Sequence, residues 1–374
     1  MREAIASLFL YLLKIYHMKL INFLLIVLVF VSSCKEEEEA VPLFDKNYGD
    51  GMYIATDNGV SFYKDGVLSN NIFQKVNGIT LNNVNKIKFQ GTKAYIATEK
   101  SLFSAKVETF ESNGEVAGFM NLVDFDFVPM ERIFAVDKDN SNVMVVDINR
   151  MEIISDVEVG LGAEPVFIIS KWYRSLIMNG GEVADSLKDS TIVAIDYRDE
   201  LVSFANMMGS LHIGDNPNSA VNISGLKVLC KGIYDEDNLP SNTFSSLSRI
   251  DPWDMELDWS ISLGGIYNAN NLISEDDGNT YYFTAEDGVY TMSNSGTGVL
   301  QLPLSIVSDV LFFQDEEYSI YNSADSTTTY FNRDVLYIND SENSKNTIYK
   351  YNLDIGAYID TIVVDSPVKD IAFY

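Results

Sequence analysis

One phrase recurs along this 374-residue chain: an alternating strand that ends in Asp or Asn, a polar turn, then a second strand. Residues 143–160 read VMVVDINRMEIISDVEVG, and residues 192–196 (IVAID), 247–251 (LSRID) and 348–352 (IYKYN) open the phrase again. A period of about 50 residues with only strands inside it describes a stacked or radial array, and a single sandwich does not produce it. The Asp or Asn closing each of these strands (Asp65, Asp147, Asp196, Asp251, Asn352) is read as a short polar side chain bonding its own turn.

The strands can be counted. One type alternates small and aromatic residues and stops before a polar turn. It occurs at residues 52–56 (MYIAT), 94–98 (AYIAT), 132–136 (RIFAV), 174–178 (RSLIM), 226–230 (LKVLC), 280–284 (TYYFT) and 335–339 (VLYIN). A second type precedes six of these, at 86–89, 124–128, 165–169, 219–223, 270–274 and 309–313. Its seventh copy is the last segment of the chain, 368–374 (VKDIAFY). The chain is therefore expected to start on the second strand of a blade and to finish with the first strand of that same blade. Such a closure removes the free sheet edges that would otherwise template aggregation. Residues 49–374 are read as one all-β domain, a seven-bladed β-propeller whose ring is closed by the C-terminal strand joining the N-terminal blade. A sandwich, or a ring of six or eight blades, is the alternative. The copies between residues 60 and 122 are the weakest, and the register of the outer strands is not legible there.

Residues 1–33 are expected to be a targeting segment. Lys19 supplies the positive start, LINFLLIVLVF at residues 20–30 is the apolar stretch, and Val31-Ser32-Ser33-Cys34 follows. This order resembles the lipobox of bacterial lipoprotein signals: an aliphatic residue, two small residues and a Cys. The resemblance implies cleavage before Cys34 and lipid on its thiol. Met18 is the better start, because MKLINFLL opens such a signal and residues 1–17 add a second apolar run. An uncleaved N-terminal anchor is the alternative. The run KEEEE at residues 35–39 belongs to a solvated linker over 34–48. A Lys followed by acids directly after the Cys also resembles the surface-export signal of one group of Gram-negative bacteria. It implies an outer-membrane location facing the cell exterior, with the periplasmic face as the alternative. Stable anchoring takes more than one acyl chain, and the triacyl anchor implied by the family meets that need.

Losing Arg2, Lys14, Lys19 and Glu3 with the leader takes the formal charge from −28 to −30. So acidic a chain repels phosphate backbones and anionic membrane surfaces, so nucleic acid is a poor partner. The 21 Tyr, 21 Phe and 3 Trp are ample for a large β-rich core. With Cys34 lipidated, Cys230 stands alone and can form no internal disulfide; it lies in an apolar-leaning strand and is read as core.

Residues 212–224 read HIGDNPNSAVNIS. Together with the IVAID and VMVVD strands they resemble the YncE-like, surface-layer-type "YVTN" repeat propellers. That repeat has an aliphatic strand ending in Asp, a turn, a strand ending in Gly, then Asp/Ser-Asn-Pro and another strand. Gly160-Leu161-Gly162-Ala163-Glu164-Pro165 is a looser copy and Asp365-Ser366-Pro367 looser again. The likeness is good over residues 131–224, fair over 244–374 and poor before 120. Surface-anchored members of this group are ligand-capturing partners of TonB-dependent transporters, cobalamin capture being the best known. The resemblance therefore implies an accessory to such an uptake system, with a small molecule or glycan as ligand and an associational warrant only.

In a propeller, the loops joining strands two and three share a face with those that lead into the next blade. Here these loops are long: residues 179–190 and 234–243 between strands two and three, 214–218 and 264–270 between blades. Long loops cost little entropy and commonly carry binding residues. The ligand face is expected there. Tyr234 and Tyr267 offer flat aromatic surface, Asn179, Asn216 and Asn268 amides, and Glu164 a carboxylate. A solvated loop face, or a scaffold that meets only another protein, is the alternative.

The acidic runs at residues 137–142 and 235–238 lack the glycine and distal Glu of a calcium loop and are read as solvated turns. No metal and no cofactor is expected. Residues 185–187, 189–191 and 325–327 resemble short bacterial O-glycosylation sequons. His212 is the sole histidine after His17 leaves with the leader, so a zinc site of several histidines is impossible, and a Ser-His-Asp site would have to use it. Acid pairs such as Asp276-Asp277 could support glycosidic chemistry, but among 53 acids such proximity is uninformative. The chain is read as non-catalytic, with a propeller hydrolase or lactonase as the lesser alternative.

Overall fold

The computed structural model describes residues 47–374 apart from 161, 172, 181–189, 198–204, 305 and 323–326. The leader, Cys34, most of the 34–48 linker and the sequon at 185–187 thus lie outside the described residues, and the sequons at 189–191 and 325–327 lie there in part.

Seven four-stranded antiparallel sheets follow one another around a ring, giving a seven-bladed β-propeller. The closure is the expected one. Val368–Phe373 pairs with Met52–Thr56, with Met52 opposite Phe373 and Ile54 opposite Ile371, and Gly59–Lys64 and Val67–Ser69 complete that first blade. All seven strands of the small-and-aromatic type occupy the second place in their blades. The register that was illegible before residue 122 is regular, with Ser101–Lys106 and Ser112–Ala117 as outer strands of the second blade.

Burial explains the strand grammar. Second strands such as Met52–Thr56, Arg174–Asn179 and Leu226–Cys230 are buried at every position. They lie sandwiched between neighbouring blades, which is why they read as continuous runs and lack a polar face. Outermost strands such as Glu152–Glu158 and Glu256–Ser262 are mostly exposed and carry the charges. The core is a series of layers between blades. One joins Tyr53, Phe62 and Phe73 to Ile87, Ile96 and Phe110; another joins Val335, Tyr337 and Ile348 to Met52, Ile54 and Ile371. Each such side chain contributes about 1.5–3 kcal/mol by leaving water.

Six of the seven first strands slip register at their start, as between Val84 and Lys86, Leu122 and Asp124, Pro165 and Phe167, and Pro217 and Ser219. A bulge of this kind kinks the strand and re-aims a side chain. The first strands belong to separate sheets, so side chains link them instead. Asp370 Oδ2 accepts the Ile87 amide at 3.1 Å, Asp124 Oδ2 the Ile168 amide at 3.1 Å, and Ser219 Oγ the Leu272 amide at 3.0 Å.

Three of the five polar residues expected to bond their own turns do so among the described residues. Asp147 Oδ1 accepts the amides of Asn149 and Arg150, Asp251 Oδ1 that of Trp253, and Asn352 Oδ1 that of Ile355. Two of the five anchor arginines at the start of the second strand: Arg132 meets Asp147 at 2.9 Å and Arg174 meets Asp196 at 3.2 Å.

Two features depart from a strands-only period. A short helix, Ile72–Asn77, follows the three-residue outer strand of the first blade and buries Ile72 and Phe73 in the core that the strand is too short to cover. In the seventh blade the first two strands, Leu311–Asn322 and Thr327–Asp340, run far past their neighbours as a two-stranded ribbon.

Candidate functional site at the channel mouth

A cavity of about 280 Å³ is lined by Lys86, Val123, Asp124, Val166, Phe167, Asn218, Asn270 and Asn271, with Gly180 and Lys231 beside them. The first eight sit at the starts of the first strands of five consecutive blades, and only the centre of the ring brings those together. Gly180 and Lys231 directly follow second strands, so the cavity opens on the face carrying the long loops. Val123, Val166, Asn218 and Asn271 are residues skipped by the register slips. The bulges thus furnish much of the lining.

Charges alternate along two of these strands. Lys86 Nζ lies 3.0 Å from Asp370, and Lys88 Nζ lies 2.9 Å from Asp124. Lys88 also donates to the Phe125 carbonyl and stands over its ring. Burial pulls the Lys86 ammonium down, but Asp370 and Asp124 outweigh it and hold it above the ordinary lysine value. Burial pushes the Asp126 carboxyl up, against the pull of Lys88. Asp124 is saturated by Lys88 and the Phe125 and Ile168 amides. The wall therefore presents ammonium and amide groups held rigidly by bonds already made, an arrangement suited to hydroxyl and carboxylate groups of a small polar molecule.

Each residue expected at the site can be placed. Tyr234 and Tyr267 meet with ring centroids 4.9 Å apart, and Phe244, 44 % exposed, adds a third ring 5.0 Å from Tyr267. The trio lies on the loop between the second and third strands of the fifth blade and the loop leading into the sixth, on the same face as the cavity. The Asn268 amide donates to the Lys231 carbonyl at 3.0 Å, and Asn268 Nδ2 donates to Glu286 at 3.1 Å. Glu164 pairs with Lys138 at 2.9 Å across two blades. Asn179 and Asn216 are each only 1 % exposed. Asn179 Nδ2 donates to the Val159 carbonyl and to Thr191 Oγ1, and Asn216 Nδ2 to the Gly232 carbonyl. Both fasten loops behind the cavity and stand back from its surface.

The place of Asn179 is a repeat position. Thr56, Thr98, Asp137, Asn179, Cys230, Thr284 and Asn339 are equivalent in the seven blades, and all are buried. Asp137 accepts the amides of Met120 and Asn121, and Asn339 Oδ1 those of Asp309 and Val310. The position receives the incoming chain of its blade, and a short polar side chain does this best. Cys230 fills the same slot, where burial pushes its thiol up to about 12.

Lys86, Lys88, Asp124, Asp126 and Phe244 were missed as site residues. The first four had a signal. NKIKFQ and VDFDFV place charges two apart in strands that must face the channel, since period-two charges on an innermost strand share one side. The acidic loops bond themselves: Asp235 Oδ1 accepts the Asp237 amide, and Asn242 Oδ1 accepts the Asp235 amide. Among the described residues no group of three or more His, Cys, Asp or Glu is arranged to hold a metal. His212 Nδ1 lies 3.1 Å from Ser190 Oγ, exposed.

No family model matches this chain, and no curated protein matches it. Solved structures do. A quinoprotein alcohol dehydrogenase-like protein from Bacteroides thetaiotaomicron aligns over 87% of this chain and 79% of its own, with TM-score 0.61 and 13% identity. A protein from Bacteroides fragilis, provisionally described as a 6-phosphogluconolactonase, aligns over 87% and 98%, with TM-score 0.59 and 11% identity. BamB from Moraxella catarrhalis aligns over 86% and 85%, with TM-score 0.50 and 13% identity. These are β-propeller proteins, and at such identities the likeness concerns the fold.

Proposed function

We propose that this chain is a lipid-anchored outer-membrane propeller of the YVTN-repeat kind that binds a small polar ligand, a glycan or sugar-like molecule, at the channel mouth without transforming it. The observation that carries the reading is the polar cavity of about 280 Å³, with the three-ring cluster of Tyr234, Phe244 and Tyr267 on the same loop face. Rings on that face stack on flat, weakly polar faces, and rigidly held amides and Lys86 bond hydroxyls. Glu164 and Asn268 lie on its loops, which Asn179 and Asn216 position.

Titration calorimetry against a panel of oligosaccharides and small sugar acids tests this. We expect Tyr267→Ala to weaken the best ligand about tenfold, roughly 1.4 kcal/mol, with the melting temperature unchanged. Absence of binding across the panel would remove the ligand-site reading, and turnover of a sugar lactone would remove its non-catalytic part.

The lipobox at Cys34 and the KEEEE run support surface anchoring and service to a TonB-dependent transporter. Crosslinked capture from intact cells is expected to recover such a barrel. Recovery without any barrel leaves a free-standing binder. Retention of Cys34→Ser in the membrane fraction would sink the lipid anchor.

A further inference from the structure

Another cavity, of about 270 Å³, opens between the fifth and sixth blades on the face opposite the channel mouth, and its walls include Ser224, Lys227, Arg249, Trp259, Asn294 and Ser295. Ser224 lies in the turn between the first and second strands of the fifth blade, and Asn294 and Ser295 in the turn between the third and fourth strands of the sixth. Strand pairing builds one wall as a single cross-strand row. Lys227 stands opposite Arg249, and Arg249 opposite Trp259. Side chains directly opposite one another share a face of the sheet, so two cations and an indole are set side by side.

The two cations converge on one turn. Lys227 Nζ donates to the Ser224 carbonyl at 2.6 Å and lies 5.7 Å from the centre of the Tyr281 ring. An atom at the Cβ position of Gly225 would lie 3.4 Å from Arg249 Nε and 3.6 Å from its Nη2, so the guanidinium rests on the same turn. Like charges directly opposite one another in a sheet repel. Burial and Arg249 together hold the Lys227 ammonium below the ordinary lysine value. Among the described residues Arg174, Lys227 and Lys350 are the buried cations. Arg174 has Asp196 and Lys350 has Glu316. Lys227, only 3 % exposed, meets carbonyls and a ring but no carboxylate among the described residues. That is a notable gap in a chain with 54 acids against 26 bases. Arg249 has Asp258 at 3.2 Å from Nε, and its Nη1 and Nη2 make no hydrogen bond among the described residues.

We propose that this cleft is a second binding site, one that takes the carboxylate of an acidic saccharide such as a uronic acid. Lys227, Arg249 and Asp258 sum to one positive charge, which a single carboxylate balances and a dianionic phosphate exceeds. The strongly acidic body of the protein repels multiply charged ligands further. The carboxylate accepts from Lys227 Nζ and from the Nη groups of Arg249, whose planar fork matches two oxygens. Trp259, partly exposed, offers the indole face on which a sugar ring lies. Asn294 Oδ1 and Ser295 Oγ meet its hydroxyls, while Asn294 Nδ2 is held by the Gly278 carbonyl at 3.1 Å. The site is separate from the one proposed at the channel mouth and does not depend on it.

Titration calorimetry of the full-length chain in non-ionic detergent is the test, with trigalacturonic acid as probe and neutral galactotriose as its control. The acidic probe should bind at least about tenfold more tightly than the neutral one, and Lys227→Met and Arg249→Gln should each cost about tenfold or more. Tyr267→Ala, on the other face, should leave this affinity unchanged. Lys227→Met should melt at or above the parent temperature, because an apolar chain of similar size replaces a buried cation that lacks an anion. A variant melting far below the parent would show the ammonium already satisfied by the fold and would overturn the proposal. So would absence of binding at about 1 mM probe, or equal affinity in the parent and both charge variants. Loss of binding in Tyr267→Ala alone would place the probe at the channel mouth instead. Inorganic sulfate that displaces the probe at equal concentration would mark a site for any anion and overturn the saccharide reading.

Discussion

Deleting the last seven residues, 368–374, is expected to unfold the propeller and not merely to fray its end. Val368–Phe373 is the innermost strand of the first blade, although it is the last strand in the sequence. Its loss uncovers the edge of Met52–Thr56 and removes Val368 and Ile371, both nearly fully buried, from the layer between the seventh and first blades. It also removes Asp370, which holds Lys86 and accepts the Ile87 amide of the second blade. Two large aliphatic side chains at about 1.5–3 kcal/mol each, together with a stranded Lys86, make a loss of roughly 5 kcal/mol or more. Domains are stable by only about 5–15 kcal/mol, so the truncated ring should be largely unfolded at 37 °C. Circular dichroism melts read this directly. A cooperative melt at the full-length temperature would mean that the closure contributes nothing.

The second large effect is expected at the root of the ribbon. Glu316 accepts from Arg333 Nη2 at 2.8 Å, from Lys350 Nζ at 2.9 Å and from the Tyr337 hydroxyl. Burial raises its carboxyl, but these three donors outweigh burial and hold it below the ordinary carboxylate value. Glu316→Ala leaves two cations, Lys350 nearly buried, without their acid. Breaking a fully buried pair costs about 3–5 kcal/mol. Arg333 is partly exposed, so about 2–3 kcal/mol is expected, several degrees in melting temperature. The pH dependence has a definite sign. Because the folded-state value is depressed, the contribution is complete above the ordinary carboxylate value of about 4.3 and is lost as pH falls through the depressed one. The melting-temperature gap between parent and Glu316→Gln should therefore stay constant from neutral pH to about pH 5 and close only below pH 4. A gap that closes between pH 7 and pH 5 would mean that Glu316 is not held as an anion by these partners.

Much of the fold was legible because burial writes itself into short strands. The second strands lie between blades and must be apolar on both faces, so MYIAT, AYIAT, RIFAV and LKVLC were recognisable as one element. The helix Ile72–Asn77 was not, because its six residues are too few for a helical period to stand out. The ribbon was hidden for a different reason. Its paired halves alternate as any strand does, and nothing within QDEEYSIYN tells how far the neighbouring strand will follow. At the site, Tyr234 and Tyr267 lie on the loop face as aromatics, while Asn179 and Asn216 point into turns. An Asn that binds a ligand and an Asn that braces a turn look alike in one dimension.

The sequence by itself determined the number of blades, their order and the closing partner of the last strand, since each follows from counting apolar runs of two kinds. Tertiary structure decided what faces the channel. Five first strands, separated by tens of residues along the chain, bring Lys86, Asp124, Phe167, Asn218 and Asn271 to one cavity only once the ring has closed. A local pattern records which side of a strand is dry. The centre of a ring belongs to no local segment, so its chemistry exists only in the assembled molecule.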